Sequence, residues 1–300
     1  MSRSSRLKWV AIAIVGLLLA TTSASRAQQV GEETRVVAVG DAEIEYVVSG
    51  PADGEPVLLI HGAMLGTAFA PIQERLASAG YRPIRIHRRG FVGSSDDVPA
   101  QGASGHAADA VAVLNDLGVE NAHVVGHSAG AAFAVRILLH TPERVRSLVL
   151  IDPAVISALF SAPPVTAQPE LIGAAMAAFQ AGDAETALQA FARAVFGDDW
   201  REFFDAIPGG YEQALTDARR FVLGAPQVPA VDPAQVAALD RPIRVLWAGE
   251  NEQSAAAAEL AASLPQAEVG AIEGTDHALI TQKPREVTDD ILAFIRRQSN

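Results

Sequence analysis

The chain is predicted to be an α/β protein, a doubly wound and mainly parallel sheet interrupted by a helical lid insertion. Three observations predict it. Strand-type runs alternate with helical patterns along most of the sequence, and several of those runs are unbroken Val/Leu/Ile stretches. The alternation then stops over residues 155–236, where only helical patterns occur. Unbroken apolar strands are what a sheet requires when helices cover both of its faces.

The elements follow in order. Arg3, Arg6 and Lys8 precede an apolar run from Trp9 to Ala20, and small residues lead to Ser25-Arg26-Ala27. This is the pattern of a secretory signal peptide cut after Ala27, and the apolar run is short against the roughly 20 residues that span a bilayer. Residues 1–27 are therefore expected to be a leader that exports the chain to the periplasm or beyond the cell. No stable membrane span is expected after processing.

Strand-type runs at Thr34–Val39, Ile44–Ser49 and Val57–Ile60 come next, followed by Arg82–Ile86, His123–Gly126, Ser147–Ile151, Ile243–Ala248 and Glu268–Ile272. Helices are expected near Ala68–Ala79, His106–Leu117, Ala129–His140, Ala255–Ser263 and Pro284–Arg297. The core is thus divided into residues 28–154 and 237–300. Between them, helical stretches near Glu170–Gln180 and Ala184–Phe196, the pair Pro163-Pro164, a Gly209-Gly210 break and the loop Pro226–Pro229 make up the insertion. Its position after a sheet strand puts it over the C-terminal strand edge, where open α/β sheets bind ligands, so it reads as a lid shaping a pocket. Its apolar residues Met176, Phe179, Leu188, Phe191, Val195, Phe196 and Phe221 serve packing first and pocket lining second.

Composition narrows the partners. A net charge of -12 with no Lys/Arg cluster disfavours nucleic acid and anionic lipid, leaving a small neutral molecule as the natural substrate. There is no cysteine, hence no disulfide, thiolate nucleophile or sulfur-bound metal. Oligomeric state is not legible.

The chemistry concentrates in Val124-Val125-Gly126-His127-Ser128-Ala129-Gly130, an apolar run ending in G-x-S-x-G and followed by a helix former. A serine hydroxyl becomes a useful nucleophile only when it is exposed on a sharp turn beside a base, with backbone N–H groups facing the developing oxyanion. Gly126 and Gly130 let strand and helix approach without a Cβ clash. The candidate base is His277, which follows a late strand in the small-residue turn Gly274-Thr275-Asp276-His277-Ala278. His61-Gly62-Ala63-Met64 follows another strand, and its turn could aim the Ala63 N–H at the same point as the Ala129 N–H to form an oxyanion hole. His61 itself reads as a hydrogen-bonding residue of that turn.

These residues resemble the α/β-hydrolase superfamily, in particular its lidded serine esterase-like branch. Supporting matches are His61-Gly62, Arg88-Arg89-Gly90-Phe91-Val92-Gly93-Ser94-Ser95, Leu148-Val149-Leu150-Ile151-Asp152-Pro153 and Trp247-Ala248-Gly249-Glu250. His87 stands where family members usually have an aspartate. The resemblance implies a triad in the order serine, acid, histidine, with no metal and no organic cofactor. Two places for the acid occur in the family. One is the third residue past the glycine after Ile243–Ala248, here Glu252; the other directly follows the preceding strand, here Asp152. Similarity to families with a helical lid at Gly182-Asp183-Ala184-Glu185 favours Asp152, with Glu252 as the alternative and Glu250 as a further one. The implied activity is hydrolysis of a small neutral carboxylic ester through an acyl-enzyme. A carbon–carbon bond hydrolase, amidase, peptidase, perhydrolase or lyase would share the triad, and a binding protein without catalysis is the reading from another class. A serine at the elbow argues against dehalogenase and epoxide hydrolase chemistry, which uses an aspartate there.

Overall fold

A computed structural model of the chain describes residues 31–96, 102–153, 169–221, 231–249 and 262–298. The expected leader, the Pro163-Pro164 and Pro226–Pro229 segments, Glu250, Glu252 and all but the end of the helix expected near Ala255–Ser263 lie outside the described residues.

The first strands form a hairpin. β1 (Glu33–Val39) and β2 (Ala42–Val48) are antiparallel and join through Gly40-Asp41, with Gly40 supplying the positive φ of 62° that a two-residue turn demands. β3 (Pro56–Ile60), β4 (Arg82–Ile86), β5 (Ala122–His127), β6 (Val145–Ile151), β7 (Ile243–Ala248) and β8 (Ala267–Ile272) complete one sheet in the order β1-β2-β4-β3-β5-β6-β7-β8. β2 pairs antiparallel with β4, and every pairing beyond β4 is parallel. The expected strands are all present; the run pattern alone did not reveal that the first two are antiparallel.

Between the strands run α1 (Ala70–Ser78), α2 (Gly102–Asp116) and α3 (Ala129–His140). After β6 come α4 (Pro169–Gln180), α5 (Ala184–Phe196), α6 (Arg201–Asp205), α7 (Gly210–Phe221) and α8 (Pro233–Ala237). The chain ends with α9 (Leu279–Gln282) and α10 (Pro284–Arg296). The Asp183 carboxylate caps α5 by accepting from the Thr186 N–H at 3.1 Å, and Asp232 caps α8 through the Ala234 N–H at 2.9 Å. α6 and α8 have five residues each, too short for an apolar period to declare itself. The Gly209-Gly210 break is the junction between α6 and α7, with Gly209 at φ 69°. Among the described residues no helix is long and apolar enough to cross a membrane.

Side chains leave the central strands alternately to opposite faces, and each face builds its own core. Leu58, Ile60, Val124, Leu148 and Leu150 pack against Phe133 and Ile137 of α3 and Val113 and Leu114 of α2. Val57, Leu59, Val125, Val149 and Ile151 pack on the other side with Ile72 of α1 and Ile291 of α10. Leu188, Phe196, Phe203, Phe204 and Ala214 of the inserted helices belong to this second core. The insertion is therefore continuous with the domain interior.

The interior is also rich in histidine, since His61, His87, His106, His123, His127 and His277 are all buried. Burial pulls His61 well below the ordinary imidazole value of 6.5, His106 down to about 2 and His127 down to about 3. These groups are neutral in the fold but take up protons once unfolded, so below about pH 6.5 the unfolded state binds more protons and the fold loses stability. Each group contributes up to about 1.4 kcal/mol per pH unit over that window. The melting temperature is expected to hold above pH 7 and to fall progressively from pH 6.5 towards 4. A calorimetric series over pH 8 to 4 checks this, and a flat profile down to pH 5 would contradict it.

Candidate active site

β5 ends at His127 and α3 begins at Ala129, so Ser128 alone makes the turn. It sits at φ 53° and ψ -121°, a conformation that residues with a side chain rarely adopt and that persists only where the surroundings impose it. The surroundings here are glycines. A Cβ at Gly130 would collide with the Ile60 carbonyl oxygen, and one at Gly126 with the Gly130 carbonyl oxygen. α3 can therefore begin directly against β3 and β5. The Ser128 N–H donates to the Ile151 carbonyl at 3.0 Å, fixing the turn to the neighbouring strand.

His277 arrives on the loop after β8. Asp276 ties that loop by accepting from the Ala278 N–H at 2.7 Å and from Gln282 Nε2 at 3.0 Å. The His277 ring lies with Nε2 2.9 Å from Ser128 Oγ and Nδ1 2.5 Å from Asp152 Oδ2. A carboxylate accepts, so Nδ1 carries the proton and Nε2 is left as the acceptor for the serine hydroxyl. Asp152 follows β6 directly, at φ 36°, with its N–H donating to the Leu246 carbonyl at 2.6 Å. Both side chains are nearly dry, at 5% and 2% exposure, which strengthens the bond between them relative to water. The structure thus brings Ser128, His277 and Asp152 into one hydrogen-bonded line. Glu252 and Glu250, the alternative acids, lie outside the described residues.

Two neighbours of His277 were not singled out as site residues by the sequence. His127, the residue before the serine, is fully enclosed and neutral, and its Nε2–H donates to the His277 carbonyl at 3.0 Å while the two rings lie 4.9 Å apart. Phe196 of α5 lies 5.8 Å from the His277 ring and leads into a cluster with Phe203, Phe204 and Trp200. Sequence reasoning placed Phe196 among the apolar residues of the insertion without a partner. Of that group, Phe179 and Leu188 are buried, whereas Met176 is 40% exposed.

The turn after β3 faces the elbow closely, since a Cβ on Gly62 would fall 2.9 Å from Ser128 Cβ. Ala63 is the next residue in that turn. The Gly62 carbonyl accepts from His61 Nδ1 at 2.7 Å and from Arg88 Nη2 at 2.7 Å, while His61 Nε2 accepts from the Arg88 N–H at 3.1 Å. Both His61 nitrogens are spent on backbone, consistent with a residue that shapes the turn. The Arg88 guanidinium is buried between the Phe91 and Phe133 rings, 4.6 and 4.8 Å from their centroids. Burial lowers Arg88 to about 9 while the Asp217 carboxylate opposes that, so it remains charged at neutral pH. Among the described residues, no group of three or more His, Asp or Glu side chains could hold a metal ion.

This geometry can transfer the Ser128 proton to His277 as Oγ attacks an electrophilic carbon. Similarity to known proteins agrees with the architecture. A candidate carbamate hydrolase of Azorhizobium caulinodans is 34% identical over 113 residues, covering 38% of this chain and 42% of the relative. An uncharacterized carboxylesterase of Bacillus subtilis is 30% identical over 116 residues, covering 37% of this chain and 38% of the relative. The matched stretch thus spans only about two-fifths of these relatives' length. Among solved structures, carboxylesterase CesB of Bacillus subtilis superimposes with a TM-score of 0.74 at 20% identity, covering 89% of this chain and 92% of that one, a likeness of fold. The profile of the alpha/beta hydrolase family matches residues 57–290, which takes in the sheet from β3 onward, the elbow and the His277 turn, and the chain belongs to that family.

Proposed function

We propose that the protein is a serine hydrolase that cleaves small neutral carboxylic esters through an acyl-enzyme. The observation that carries this reading is the hydrogen-bonded line from Ser128 through His277 to Asp152, with the serine on a strained turn at a helix start. In the first half-reaction Ser128 Oγ bonds to the carbonyl carbon as its proton passes to His277 Nε2. The Ala63 and Ala129 N–H groups hold the resulting oxyanion, and the imidazolium returns the proton to the leaving alkoxide as the C–O bond breaks. Water then loses a proton to Nε2, attacks the acyl carbon and releases the acid, and the proton returns to Ser128 Oγ. Asp152 keeps the imidazole in the required tautomer and supports its positive charge. The carboxylesterase among the relatives supports the substrate class.

The inserted helices act in this reading as the lid over the acyl pocket. Support comes from Phe196 beside the His277 ring and from the aromatic cluster behind it, which offer an apolar wall to a short neutral group.

Ser128→Ala and His277→Ala are each expected to lower kcat for p-nitrophenyl acetate by about ten-thousand-fold or more, with the double variant little worse, because the two groups act as a unit. Asp152→Asn is expected to cost a similar order by leaving the imidazole in the wrong tautomer, about ten-thousand-fold, while Glu252→Gln stays near wild type. Steady-state kinetics decide, and the reverse result for the two acids would move the acid to Glu252.

A panel of p-nitrophenyl esters of increasing acyl length is expected to peak at short chains, with KM rising sharply beyond them. A maximum at long acyl chains would overturn the closed-pocket reading. The leader reading adds that the exported protein begins at Gln28, which N-terminal sequencing checks; a start at Met1 in a membrane fraction would contradict it.

A further inference from the structure

We propose that Arg88 is a positioning residue for the oxyanion hole, acting through the Gly62–Ala63 peptide, and that Asp217 is the counter-charge by which the helical insertion is tied to it. The proposal rests on the serine hydrolase reading above. No cis peptide occurs among the described residues, so the Gly62 C=O and the Ala63 N–H point in opposite directions across one rigid plane. Whatever fixes the carbonyl also aims the N–H.

Two donors fix it, His61 Nδ1 and Arg88 Nη2, each at 2.7 Å. The second is a full positive charge in a dry site, which makes the bond charge-assisted and polarises the peptide so that the Ala63 N–H becomes a stronger donor. The guanidinium has little freedom to leave, because two aromatic rings flank it and its own backbone N–H is held by His61 Nε2. The turn requires such restraint. Met64, immediately after Ala63, has φ 74°, and Val92, on the loop after Arg88, has φ 50°.

Asp217 closes the arrangement from the insertion side. It is fully buried on α7, where its carboxylate accepts from the Val92 N–H at 2.9 Å, the Gly66 N–H at 3.4 Å and Gln213 Nε2 at 2.8 Å. One carboxylate thus bridges the β3–α1 turn and the loop after β4, and it is the charge that opposes the burial of Arg88. An unbalanced buried cation would be costly, so the insertion contributes stability to the loops that carry Arg88 and Gly62, while the guanidinium itself holds the Gly62 carbonyl.

The test compares wild type, Asp217→Asn, Arg88→Met/Asp217→Asn and Arg88→Lys with p-nitrophenyl acetate and thermal melting. Removing the pair without leaving a lone charge is expected to lower kcat about tenfold to a hundredfold with KM within about twofold, a part of what loss of a whole oxyanion donor costs. Asp217→Asn alone is expected to lower the melting temperature while keeping kcat within about threefold, since the guanidinium still holds the Gly62 carbonyl. Arg88→Lys retains the charge and is expected to fall between wild type and the double variant. The proposal is overturned if the double variant keeps wild-type kcat, or if Asp217→Asn alone loses as much kcat as the double. Should the double variant fail to fold, Arg88→Lys decides: a several-fold lower kcat at unchanged KM supports the proposal, and wild-type kcat overturns it. Fluorophosphonate labelling of Ser128 in the wild type separates the two levels, because absence of labelling would sink the hydrolase reading itself.

Discussion

The structure depends on how closely α3 begins against the sheet. Two positions without a Cβ, Gly126 and Gly130, allow the helix start to meet the ends of β3 and β5, where any side chain would strike a carbonyl oxygen. That contact forces Ser128 into its strained conformation and leaves its hydroxyl at the C-terminal edge of the sheet. The loops from β3, β6 and β8 converge there because parallel strands all deliver their C-terminal ends to the same side. Gly62, Asp152 and His277 each arrive on a different one of those loops, and the sheet order alone makes them neighbours.

Around that point several polar groups are buried and paired. His61 spends both nitrogens on backbone, His127 donates to the carbonyl of His277, and Asp152 meets the imidazole out of water. Arg89 and Asp109 pair beside them at 2.6 Å, anchoring α2 to the loop after β4. Partly satisfied networks of this kind would be expensive in a low dielectric, so the pairings hold the loops in one arrangement.

The helical insertion is built into this economy. Phe196, Phe203 and Phe204 complete the core beneath it, and Asp217 reaches from α7 to two backbone N–H groups of the catalytic-side loops. The segment is thus attached both through an apolar core and through a buried carboxylate.

The sequence by itself marked the strands of the sheet, because runs such as Val57–Ile60 and Leu148–Ile151 are short and apolar at every position, as strands covered on both faces are. It also marked Ser128, through glycines whose spacing has meaning only at a strand-to-helix turn, and His277, through a small-residue turn after a late strand. For the acid, the resemblance favoured Asp152 over Glu252, but the residues themselves did not decide, since both carboxylates follow strands and nothing local shows which one faces an imidazole. Nor could it see α6 and α8, which are shorter than the apolar period that announces a helix. Asp152 reaches His277 Nδ1 across 125 residues, and Asp217 reaches Val92 across the same separation. Contacts of that range arise from the order of strands in the sheet and the path of the insertion, so only the tertiary structure decided which buried charges and donors meet.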